Sequence, residues 1–70
     1  MRIPELFEHL YKTADTLRAT LEHAAMLANV GYHERALSDL RDLDVCTHNI
    51  EEYTEELRKA LELLVEGVHP

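Results

Sequence analysis

Tryptophan is absent from this 70-residue chain, and one phenylalanine and three tyrosines make up all its Phe, Tyr and Trp. Any core must therefore be aliphatic. The lone cysteine, Cys46, excludes a disulfide framework, because a thiol cannot pair without a second one. Two glycines and two prolines leave few places for the backbone to reverse. Cations are scarce as well. Seven Lys and Arg stand against fourteen Asp and Glu, a net charge of −7 that argues against holding phosphate backbones. No stretch approaches the ~18 uninterrupted apolar residues of a membrane span. The opening Met-Arg-Ile-Pro lacks the apolar segment of a secretory leader. The expectation is a single cytoplasmic domain over residues 1–70, in direct contact with neither nucleic acid nor membrane.

Hydrophobic side chains nevertheless make up 46% of the chain, too many for a solvated coil. Pro4 suits the first turn of a helix, and Glu5 and Glu8 suit its positive end. Ile3, Phe7, Leu10, Ala14, Leu17, Leu21, Ala24 and Ala28 then follow in alternating steps of four and three, an unbroken heptad. Leu6 and Leu27 widen the stripe at its two ends. Asn29-Val30-Gly31 has the chemistry of a helix end, so the pattern predicts a helix over about 4–30.

The second run, Ala36, Leu40, Leu43, Thr47, Ile50, Thr54, Leu57, Leu61, Leu64 and Val68, keeps the same alternation and predicts a helix over about 33–66. Val45, Thr47 and Asn49 are poor helix formers, and Asn49 with Glu52 has the form of a capping box. A break near Asp44–Asn49, giving a three-helix bundle, is therefore the alternative. The apolar phase runs through this segment unshifted, which favours one continuous helix.

A turn at residues 31–32 makes an all-α antiparallel hairpin, with Ala24 beside Leu40, Leu21 beside Leu43 and Phe7 beside Leu57. Two helices cover only one side of each other, so apolar surface is left over. Self-association into a four-helix bundle covers it, with a homodimer expected ahead of a higher oligomer or another protein's helix. The excess gathers at the open end, where Leu6, Phe7, Leu10, Tyr11, Leu57, Leu61, Leu64 and Val65 are the expected interface residues.

Other constellations bear on chemistry. Asp44, His48, Glu51 and Glu55 share a helix face at spacings that suit zinc, iron or manganese, but they flank the apolar stripe instead of pointing into a core. Glu66-x-x-His69 has the ExxH form next to Gly67 and terminal Pro70. No metal, cofactor or catalytic residue is expected. Cys46 reads as a small, partly buried hydrophobe. Thr47 and Thr54 fall in the predicted seam, where each hydroxyl can return to a carbonyl one turn back.

Several short segments resemble known families. Glu51-Glu52-x-x-Glu55 resembles the magnesium-binding stretch of all-helical nucleotide pyrophosphohydrolases, over five residues and without that family's further acidic helix. Arg41 and His48 have a spacing similar to that of HEPN-type ribonucleases, which are larger bundles. Ala24, Gly31 and Ala36 resemble the small-residue spacing of a tetratricopeptide repeat, with no second copy to stack upon. In size and layout the chain resembles the helical-hairpin co-chaperones of type III secretion, a likeness of architecture.

The functional expectation is a non-enzymatic, acidic protein–protein interaction module of the adaptor, co-chaperone or regulator type, binding itself and another protein. One alternative is an inhibitor that imitates nucleic acid through Asp39, Asp42, Asp44, Glu51, Glu52, Glu55 and Glu56. The other is a metal-binding bundle.

Overall fold

Pro4 in the first turn, with Glu5 beside it, opens helix α1, Ile3–Asn29, in a computed structural model of the chain that describes residues 2–67. Helix α1 ends in a Schellman motif. The amide of Tyr32 bonds the carbonyl of Leu27 at 2.9 Å, and that of Gly31 bonds Ala28 at 3.1 Å. Closing those two bonds requires a left-handed residue, and Gly31 supplies it at φ 92°. The carbonyl of Tyr32 then accepts from the amide of Ala36 at 3.0 Å and starts α2, His33–Gly67.

The three-helix alternative does not occur: α2 runs unbroken through Val45, Thr47 and Asn49. The hydroxyl of Thr47 bonds the carbonyls of Leu43 and Asp44, so the residue that reads as a helix breaker is satisfied within the helix. The hairpin, its turn and both helix ranges otherwise match the sequence pattern to within a residue at each end. Val68 and His69 lie outside the described residues.

The seam between the helices differs from the predicted one in a regular way. Ile3, Leu10, Leu17 and Ala24 on α1, and Ala36, Leu43, Ile50 and Leu57 on α2, do face inward, buried or half-buried. Their companions are an inner row, Leu6, Thr13, Thr20 and Leu27 on α1 with Asp39, Cys46, Tyr53 and Ala60 on α2. The predicted companions form an outer row that stays exposed: Phe7, Ala14, Leu21 and Ala28 on α1, and Leu40, Thr47, Thr54 and Leu61 on α2. Each outer position is one residue past an inner one, about 100° further round the helix. Both rows step by seven residues, so a heptad count alone accepts either.

Two contacts set the antiparallel register. The ring of His9 stacks on Tyr53, and Nδ1 of His23 meets Oδ2 of Asp39 at 2.5 Å. From residue 9 to 23 on α1, the matching positions on α2 run back from 53 to 39. The same register sets Leu6 level with Leu57 and Leu27 level with Ala36, four of the five most deeply buried residues. The resulting rod measures 61 × 15 × 13 Å, with a radius of gyration of 16.9 Å against about 11 Å for a compact chain of this length. Among the described residues no helix is long and apolar enough to cross a membrane.

Candidate functional site

Two helices packed side by side leave two long edges, and the rows decide what each edge carries. Because the helices run in opposite directions, the outer rows of both fall on the same side of the seam. The other side carries the residues just before the shared row: Arg2, His9 and His23 on α1, and Asn49 and Glu56 on α2. The cross-helix polar contacts cluster there. Arg2 Nη2 lies 3.8 Å from Glu56 Oε2, His9 stacks on Tyr53, and His23 holds Asp39. Among the described residues one edge is polar and cross-braced, and the opposite one is apolar and carries no cross-helix polar contact.

On the apolar edge Phe7 is 40% exposed, Leu21 46%, Leu40 45% and Leu61 42%. The position one turn further out adds Tyr11, Leu37 and Val65, all exposed. Isolated exposed leucines need no explanation, but a row of them along both helices of a rod does. The edge is most apolar toward its ends. Phe7, Tyr11, Leu61, Leu64 and Val65 lie at the open end, with the Phe7 and Tyr11 ring centroids 6.4 Å apart. Leu21, Leu37 and Leu40 lie toward the turn. Between them come Ala14, Thr47 and Thr54, bordered by Arg18, Asp44 and Glu51.

The eight residues singled out from sequence therefore divide. Leu6 and Leu57, 2% and 5% exposed, close the hairpin's own seam, and Leu10 is half-buried beside them, so these three are already covered within the chain. Phe7, Tyr11, Leu61, Leu64 and Val65 are exposed along the open half of the rod. Leu21, Leu37 and Leu40 extend the surface toward the turn and were missed. The signal for them was present: Leu6 and Leu27 start and finish a second heptad row parallel to the first, and only one row can face the partner helix.

The acidic residues do not form one face. Asp39 is held by His23, Glu52 by His48 at 2.9 Å, Glu55 by Arg58 and Lys59, and Glu56 by Arg2. Asp42, Asp44 and Glu51 make no ion pair among the described residues. Asp42 and Glu56 lie on the polar edge, whereas Asp44 and Glu51 border the apolar one. Among the described residues no group of three or more His, Cys, Asp or Glu is placed to hold a metal ion, the Asp44, His48, Glu51 and Glu55 set included. Glu66-x-x-His69 lies partly outside the described residues. Arg41 and His48 sit on the solvent side of α2, where His48 is engaged with Glu52. Cys46 is half-buried in the seam. Thr47 makes the expected bond to its own helix, yet it and Thr54 stand on the exposed outer row, while Thr13 and Thr20 occupy the seam.

Comparison of the chain with protein-family models, curated proteins and solved structures gives no match.

Proposed function

We propose that this protein is a non-catalytic interaction module whose working surface is the apolar edge of the hairpin, and that it acts by packing that edge against another helical layer. The observation that supports the reading is the segregation of the two edges. Polar cross-helix contacts fall on one side, and an exposed row with Phe7 and Leu61 toward one end and Leu21 and Leu40 toward the other lies along the opposite side. A helix pair closed by itself has no use for that row, since each of its leucines, 42–46% exposed, forgoes about 1 kcal/mol of burial. An adaptor, co-chaperone or regulator uses such an edge directly. The acidic solvent faces keep the rod soluble and set the charge of whatever approaches it.

The test is an environment-sensitive apolar dye titrated onto the dilute chain, with Leu40→Glu/Leu61→Glu as the control. The reading requires dye binding that the substitutions abolish, or association that they abolish. A stable monomer that takes up no dye, and whose thermal stability ignores both substitutions, overturns it.

A further inference from the structure

We infer that the apolar edge seats one cationic amphipathic helix of another protein, apolar toward its two ends and carrying Lys or Arg a heptad apart between them. This rests on the apolar edge being the working surface and names what occupies it.

The charges that border the edge support that chemistry. In the register set by His9–Tyr53 and His23–Asp39, Phe7 and Leu61 lie toward the open end, and Leu21 and Leu40 toward the turn. Asp44 and Glu51 border the stretch between them. Both are exposed, both are on α2, and seven residues put them about 10 Å apart. Neither makes an ion pair among the described residues. The two cations on the same border are already engaged by acids of their own helices. Arg18 holds Glu22 through Nε at 3.1 Å, and Arg58 holds Glu55 and lies 4.0 Å from Glu62. One turn beyond the border the charge keeps its sign, with Glu8, Asp15 and Glu22 on α1 and Glu55 and Glu62 on α2. A helix approaching this edge meets a negative field that draws in Lys and Arg and repels Asp and Glu.

Size and shape fit a single helix. Leu40 and Leu61 are 21 residues apart on α2, roughly 30 Å, which is the length of a helix of about 20 residues. Between the apolar ends the edge carries Ala14, Thr47 and Thr54, small side chains that leave room for larger ones from the partner. A second copy of the chain suits the edge less well. It brings a net charge of −7 to a surface of the same sign, and its Arg18 and Arg58 arrive engaged.

Two synthetic peptides of about 20 residues test the inference on the full chain. They share one Leu heptad face and differ at two flanking positions, a heptad apart, with Lys in one and Glu in the other. Fluorescence anisotropy gives the affinities, and light scattering gives the mass of the complex. The expected result is one Lys peptide on one chain, bound about tenfold more tightly than the Glu peptide. Asp44→Asn/Glu51→Gln should remove most of that preference. Glu5→Gln/Asp42→Asn removes the same charge away from the apolar edge and should keep most of it. All four positions are exposed, so the hairpin's seam is undisturbed, which circular dichroism verifies. Equal affinity for the two peptides, or a preference that both double variants reduce alike, overturns the cationic helix as occupant. So does a chain of twice its mass that Leu40→Glu/Leu61→Glu returns to a monomer, which would make the second copy the occupant. In each of these cases binding or association that depends on Leu40 and Leu61 leaves the apolar edge standing. Failure of both peptides also overturns the inference, and dye uptake by the same sample then shows whether the edge itself has failed.

Discussion

The imidazole of His9 lies flat on the ring of Tyr53, centroids 5.1 Å apart and planes 11° from parallel. The stack joins α1 to α2 on the edge that also carries Arg2–Glu56 and His23–Asp39. Those three contacts register the hairpin without touching its opposite edge. A division of labour follows. Substitutions on the polar edge should change the stability of the hairpin, and substitutions on the apolar edge should leave the hairpin folded.

For the stack, a double-mutant cycle with His9→Ala and Tyr53→Ala should return a coupling of about 0.5–1.5 kcal/mol in chemical denaturation. The associated mass should be the same for all four proteins. A coupling near zero would mean that the rings merely lie near each other.

The seam and the outer row should respond differently to substitution. Leu57→Ala opens a cavity opposite Leu6 at a site only 5% exposed, and should cost about 2–4 kcal/mol of hairpin stability. Leu61→Glu, four residues later on the outer row, should cost the hairpin less and, if the proposed edge packing forms, should abolish it, with mass lowered and helicity falling with it. Circular dichroism and light scattering on the same samples separate the two. Equal losses of stability and of mass in both variants would contradict the assignment of Leu57 to the seam and Leu61 to the edge.

The fold was legible because its two strongest signals are local. Gly31 is the only glycine between residues 1 and 66, and it stands where the first heptad stops and the second has yet to begin. The rows were less legible. Residues 3, 10, 17 and 24 bisect two possible stripes, and Phe7 and Leu21 make the wrong one greasier than Thr13 and Thr20 make the right one. Reading the greasier stripe as the seam is sound for a lone pair of helices. It fails here because the larger side chains, Phe7, Leu21, Leu40 and Leu61, stand on the exposed outer row. Asp39 and Cys46 on the inner row of α2 hid the other half of the seam in the same way.

Continuity of α2 through Asn49 gives a prediction with a definite sign. Were Asn49 the cap of a third helix, Asn49→Ala would cost about 1 kcal/mol. Inside an uninterrupted helix alanine is the better former, and the same change should stabilise by a few tenths of a kcal/mol. The midpoint of urea unfolding, at constant protein concentration, decides between them.

The turn offers a comparison between the chain's two glycines. A Cβ added at Gly31 or at Gly67 meets nothing within 4 Å, so neither substitution is resisted by packing. Gly31, however, sits at φ 92°, a region that side chains rarely adopt, and its amide and that of Tyr32 close the end of α1. Gly31→Ala should therefore cost about 1–2 kcal/mol through the backbone alone. Gly67 is the last residue of α2 and lies outside the left-handed region, so Gly67→Ala should be neutral or stabilising by up to about 0.5 kcal/mol. Thermal melts of the two variants at matched concentration should bracket the parent protein. If Gly31→Ala melted with or above the parent, the left-handed turn would not be what reverses the chain, and the register that levels Leu6 with Leu57 would lose its anchor at the closed end.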